Sequence, residues 1–115
     1  ELYLEENIDR LEEDDIKTVT RQVQLTKEDR IDLVCTRDGD QPPLLIELKK
    51  GLGKMSHFRQ LSRYLDVYED DAEGLLVAQQ FKDDVLVAAA ERDDLRLKDF
   101  EIGLVFNPPQ KLISL

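Results

Sequence analysis

Residues 30–50, RIDLVCTRDGDQPPLLIELKK, decide how this chain reads. Two apolar runs, 30–36 and 44–49, flank a polar segment that holds the turn formers Asp38, Gly39 and Asp40. Pro42 and Pro43 restrict the backbone ahead of the second run. The pattern is that of two strands joined by a turn. Each strand carries an acid where an ordinary buried strand has none. Asp32 sits between Ile31 and Leu33, and Glu47 between Ile46 and Leu48, with Lys49 two residues on. Lone buried charges are costly, so these groups need partners or a cation.

Side chains alternate along a strand, so Glu47 and Lys49 share one face. Leu44, Ile46 and Leu48 are expected on the other, packed into the core. Asp32 comes from the preceding strand, and pairing brings it beside Glu47. Neighbouring carboxylates repel unless a cation lies between them. Oxygen-only ligation favours Mg²⁺ or Mn²⁺ over zinc, and the Leu48 carbonyl offers a further oxygen. Such a cation polarises a phosphate ester and lowers the pKa of water. Lys49 can hold that water or offset charge in the transition state. Gln60, on the next expected helix, can reach the same cluster. Asp followed by Glu-x-Lys is common by chance, and a surface ion pair is the competing reading. The apolar setting of both acids favours a metal-dependent phosphodiesterase site.

Outward from this stretch, Leu4, Ile8 and Leu11 recur at helical spacing and predict a helix over 1–12. Residues 18–25 alternate Val19, Val23 and Leu25 with polar positions and predict a strand. With a turn at 26–29, the three strands form an antiparallel meander. Gly51 and Gly53 are expected to end the third strand and lead into a helix over 54–68. Its buried stripe is Phe58, Leu61, Leu65 and Tyr68, with Gln60 and Tyr64 beside it. An acidic loop at 66–73 precedes an apolar strand, GLLVA, at 74–78. A helix over 82–92 packs Val85, Leu86 and Ala89. One or two short strands fill 95–106, and 107–115 is an irregular tail. The fold class is α/β: one domain over 1–115, a central mixed sheet flanked by helices.

The net charge is −10, with 16 basic and 26 acidic residues. Taken alone, that opposes binding to nucleic acid. The distribution points the other way, because half of the basic residues lie in two acid-free windows, 16–27 and 48–65. The second begins inside the proposed site and holds Lys49, Lys50, Lys54, Arg59 and Arg63. The acidic remainder reads as a solvated surface of the kind halophile proteins use. No apolar run approaches the roughly 20 residues of a spanning helix. The acidic start has no signal-peptide apolar region. Cys35, the single cysteine, cannot form an internal disulfide, which points to the cytoplasm. The chain opens on Glu1 rather than Met, which suits a domain excised from a longer protein.

The constellation resembles the PD-(D/E)xK nuclease superfamily. More closely, it resembles the catalytic C-terminal domain of NucS-type (EndoMS) endonucleases. The resemblance rests on RIDLV with Asp32, LLIELKKG with Glu47 and Lys49, QLSRY with Gln60 and Tyr64, and GLLVA. It covers roughly residues 1–106. It implies a restriction-endonuclease-like core in which Asp32 and Glu47 hold Mg²⁺ or Mn²⁺ and Lys49 and Gln60 complete the site. The family also uses an acid on the first helix, for which Glu1, Glu5 and Glu6 are the candidates. A separate N-terminal domain serves dimerisation and DNA binding in that family. The implied function is a metal-dependent DNA endonuclease acting on mismatched duplexes or branched, flapped DNA during repair, with DNA and a second copy as partners. Another nuclease of the superfamily, restriction-type or junction-cleaving, is an alternative. A non-catalytic nucleic-acid or protein-binding scaffold is a third reading, which the intact Asp32, Glu47 and Lys49 set disfavours.

The basic window supplies the expected DNA contacts: Lys50, Lys54, Arg59, Arg63 and Tyr64. Phosphate contact and simple exposure are equal readings for the two arginines. Tyr64 can stack on a base or sugar, although packing is the simpler role. His57 can meet a phosphate or stand as a half-exposed helix residue.

Overall fold

The computed structural model describes residues 16–24, 30–68, 71–101 and 105–106. The strands are β1 (Ile16–Gln24), β2 (Arg30–Arg37), β3 (Leu44–Gly53), β4 (Glu73–Phe81), β5 (Leu95–Glu101) and β6 (Val105–Phe106). The helices are α1 (Met55–Val67), between β3 and β4, and α2 (Asp83–Ala90), between β4 and β5. The strands lie in one sheet in sequence order, β1-β2-β3-β4-β5-β6. The first three form the expected antiparallel meander. β4 then joins β3 in parallel, β5 joins β4 in parallel, and β6 returns antiparallel. Parallel neighbours need a crossover, and α1 and α2 supply it.

The sheet is buried on both faces near its centre. On one face α1 contributes Phe58, Leu61, Tyr64 and Leu65, and α2 contributes Val85, against Val34, Leu45, Leu76, Leu95 and Leu97. On the other lie Leu33, Cys35, Leu44, Ile46, Leu75 and Val77. This is why β3 and β4 read as continuous apolar runs rather than alternating ones. The Leu44–Ile46–Leu48 row is therefore only half of the strand's core contribution, since Leu45 packs under the helices on the opposite side.

Two details hold the layers in place. Arg37, at the end of β2, donates through Nε to the Pro42 carbonyl at 2.8 Å and through its other nitrogen pairs with Glu73 at the start of β4. It thus ties the turn containing Gly39, at φ +70°, to the parallel half of the sheet. Gly74 lies under α1, where an added Cβ would meet Leu65 at 3.1 Å and Leu61 at 3.3 Å.

The structure extends two sequence-based strands. The third runs to Gly53 rather than stopping at Lys49, and the fourth spans Glu73–Phe81 rather than 74–78. Tyr64 belongs to the buried stripe, whereas Tyr68 is half-buried and caps the helix. The helix expected over 1–12, the turn at 26–29 and the tail from 107 lie outside the described residues. Gly53 is needed for space: an added Cβ would stand 2.5 Å from the Phe81 ring. Gly53→Ala should cost about 1–3 kcal/mol in urea unfolding, the usual penalty of overpacking. Adding Phe81→Leu should recover part of it, and a cycle in which the two changes simply add would contradict the clash.

Candidate active site

The β2–β3 ladder pairs Cys35 with Leu44, Val34 with Leu45 and Leu33 with Ile46. Asp32 and Glu47 would come next. There the carboxylates take over from the main chain. The Asp32 N–H donates to Glu47 Oε1 at 2.9 Å, and the Leu48 N–H donates to Asp32 Oδ2 at 3.0 Å. Each acid thus satisfies a backbone donor of the other strand, in the charge-assisted form that is stronger than a neutral bond. The exchange fixes both carboxylates at one level of the sheet. Lys49 Nζ stands 3.6 Å from Glu47 Oε2, so Glu47 and Lys49 do share a face.

Glu47 is only 3% exposed. Burial, then the negative charge of Asp32, push its carboxyl from 4.5 up to about 7. The Asp32 N–H and the Lys49 ammonium oppose the rise, while a carboxyl-to-carboxylate hydrogen bond with Asp32 adds to it. Two acids this close share a proton unless a stronger cation offsets them. The donors are all hard oxygens, which fits Mg²⁺ or Mn²⁺. Asp32 and Glu47 would hold such an ion. Among the described residues no cluster of three or more metal-binding side chains occurs. Glu1, Glu5 and Glu6 lie outside those residues.

Past Lys49, β3 changes register. Lys49 pairs with Ala78 but Leu52 pairs with Gln80, so β3 carries one extra residue. Gly51 adopts φ +77°, a left-handed conformation that favours glycine. Its N–H donates to Gln79 Oε1 at 2.6 Å instead of to a ladder carbonyl. This is a β-bulge, a device that re-aims side chains beside functional sites.

The bulge delivers the chain to α1. Lys54 caps that helix, and its N–H donates to His57 Nδ1 at 3.1 Å. In the neutral ring the proton therefore sits on Nε2. Burial, then the positive charges of Lys49 and Lys54, lower the His57 pKa, which keeps the ring uncharged near pH 7. His57, Ser56, Arg59, Gln60 and Arg63 line a shallow open depression of about 460 Å³. Lys49 is close enough for its charge to act on His57, so the depression neighbours the carboxylate pair.

The structure therefore brings Asp32, Glu47 and Leu48 into one hydrogen-bonded cluster, with Lys49 ion-paired to Glu47. It places Gln60 in the adjoining depression. Lys50, Lys54, Arg59 and Arg63 are exposed, as phosphate contacts must be. Tyr64 is corrected: at 2% exposure its ring belongs to the core and offers no face to a base. Arg63 reaches back over that ring, 6.0 Å from its centre. Sequence reasoning missed Gln79 and the capping role of His57. The only hint of the first was a polar Gln-Gln pair closing an apolar strand.

Comparison with known proteins gives concordant matches. Residues 2–112 match the model of the endonuclease NucS C-terminal domain. Endonuclease NucS 2 of Halobacterium salinarum is 38% identical over 100 residues, covering 84% of this chain and 36% of that protein. A repair endonuclease from Pyrococcus abyssi superposes with a TM-score of 0.70 at 22% identity, over 87% of this chain and 44% of the other. The EndoMS-dsDNA2 complex gives 0.72 at 19% identity, over 87% and 42%. The two structures share this restriction-endonuclease-like fold. The chain spans less than half the length of each of these relatives.

The raised Glu47 pKa has a measurable consequence. Its stability contribution is complete below the unfolded value of 4.5 and is lost as pH rises through the folded value of about 7, because the native state holds the proton longer. Without divalent metal, Glu47→Gln should therefore gain on the unaltered chain by about 2–3 kcal/mol between pH 5 and pH 8. Urea titrations at the two pH values measure this. A constant difference would show that Glu47 ionises like an exposed acid.

Proposed function

The chain belongs to the endonuclease NucS C-terminal domain family, and from that premise we propose that it is a Mg²⁺- or Mn²⁺-dependent DNA endonuclease domain. The observation that carries this reading is the Asp32–Glu47 exchange with Lys49 alongside. A purely structural role for a buried carboxylate beside a second, half-buried one is costly, and an apolar pair would serve better.

In this reading Asp32 and Glu47 hold the cation. Bound there, it supplies Lewis-acid polarisation of the scissile phosphate and acidifies water. Lys49, held against Glu47, places a positive charge where the phosphate gains negative charge in the transition state. Gln60 orients water or a phosphate oxygen from α1. His57 presents an uncharged Nε2–H donor into the depression, and Arg59 and Arg63 present guanidinium groups that can bind phosphate in bidentate fashion. Lys50 and Lys54 extend the basic edge along the strand. These contacts are to backbone, so they position DNA without reading its sequence.

The substrate we favour is mismatched duplex or branched, flapped DNA met during repair, with an N-terminal domain and a second copy completing the grip. The relatives carry the additional length this needs. Cys35, the single cysteine, is buried as a thiol, which supports a cytoplasmic setting. No described helix is long and apolar enough to cross a membrane.

Cleavage of labelled mismatched, flapped and plain duplexes, with Mg²⁺ or Mn²⁺ and at low and high salt, tests the proposal. The chain is assayed alone and with the N-terminal domain of a NucS relative supplied. Glu47→Ala and Lys49→Ala should each reduce the rate by about 10²–10³-fold, the range seen when one charge-stabilising group is removed. Cleavage that survives in both variants would mean that the site lies elsewhere. Failure of the unaltered chain on every substrate in both forms would favour a binding scaffold.

A further inference from the structure

One polar side chain beside the site has no part in the chemistry described above. Gln79 stands on β4, continuing the row of Leu75 and Val77, which are fully buried in the second core cluster. Gln79 itself is half-buried, so its amide lies at the edge of that core, within reach of the neighbouring strand. Its Oε1 accepts the Gly51 N–H at 2.6 Å. That N–H is the one freed by the extra residue between Lys49 and Leu52. Gly51 can take φ +77° without steric cost, and nothing lies within 4 Å of the place a Cβ would occupy there. The glycine is thus required by backbone conformation, not by space.

From these three facts we propose that Gln79 is a positioning residue for Lys49. Its carboxamide pins the bulge from the face opposite to the lysine. Pinned, the bulge fixes where β3 shifts register against β4, and hence the direction in which the Lys49 side chain leaves the strand. Released, the segment loses the side-chain hydrogen bond that holds the bulge at Gly51. Lys49 has a half-exposed stem, and its one described ionic partner is Glu47, at 3.6 Å. Its aim therefore depends on its backbone. The assignment of a catalytic consequence rests on the nuclease reading, but the geometric role does not.

The test compares the unaltered chain with Gln79→Leu, Gln79→Glu and Gly51→Ala. Leucine keeps the bulk and removes the acceptor, whereas glutamate keeps an acceptor oxygen. NMR of the metal-free chain reads the geometry. Gln79→Leu should shift the Lys49 ε-methylene resonances and accelerate Gly51 amide exchange by about tenfold or more, as expected for a lost protecting bond. Gln79→Glu should leave the Lys49 resonances in place. Gly51→Ala attacks the same bulge through its conformation and should reproduce the leucine pattern, so it decides the matter if the leucine variant does not fold. In whichever form of the chain cleaves DNA, Gln79→Leu should lower kcat by roughly tenfold to a hundredfold, the scale of an ångström-size misplacement, with KM nearly unchanged. Gln79→Glu should restore most of kcat. Lys49 resonances that stay put in both bulge variants would overturn the proposal. So would a glutamate variant as impaired as the leucine one. If no form of the unaltered chain cleaves DNA, the nuclease reading falls, and the resonances alone still decide the role of Gln79.

Discussion

Two carboxylates standing where a β-ladder should continue are the constraint on which the rest of the molecule turns. Asp32 and Glu47 each accept a backbone N–H from the strand pair that carries them. The arrangement resolves two problems together. The backbone donors freed where β2 and β3 part are satisfied, as buried donors must be. The carboxylates are held rigidly, with oxygens left over for other work. Burial and mutual repulsion are not relieved, and the elevated Glu47 pKa is their record.

The surrounding fold serves that pair. A meander delivers Asp32 beside Glu47, and a parallel neighbour on the other side of β3 buries Glu47 between strands. Helix crossovers at α1 and α2 are what the parallel order demands, and they cover the face under which Leu45 packs. α1 then performs a second task. Its first turns bring His57, Gln60 and the arginines to the edge of the site, while Phe58, Leu61, Tyr64 and Leu65 anchor it to the sheet. The bulge at Gly51 is the joint between these duties, since it ends the regular run of β3 immediately after Lys49 and leads to the helix cap at Lys54.

Charge is partitioned in the same way. The acid-free window 48–65 supplies β3's end and all of α1's first three turns, so its bases cluster beside the carboxylates. The exposed acids Asp38, Asp40, Asp71, Asp83, Asp84, Glu91 and Asp93 belong to turns, loops and α2, and Asp66 to the last turn of α1. An overall charge of −10 thus coexists with a locally basic surface.

The sequence by itself determined the meander, the helix over α1, the grouping of Asp32, Glu47 and Lys49, and the basic window. Those features follow from local rules: alternation along strands, helical spacing, turn residues and the cost of an acid in an apolar run. Tertiary structure alone decided the others. Tyr64 reads as available on a helical wheel but is buried in the core between α1 and the sheet. The extension of β3 through Gly51 depends on pairing with β4, which no local pattern encodes. Gln79 acquires its meaning from a hydrogen bond to a residue 28 positions away. The Glu47 pKa likewise reflects burial and a neighbour from another strand, and both exist only once the sheet has formed.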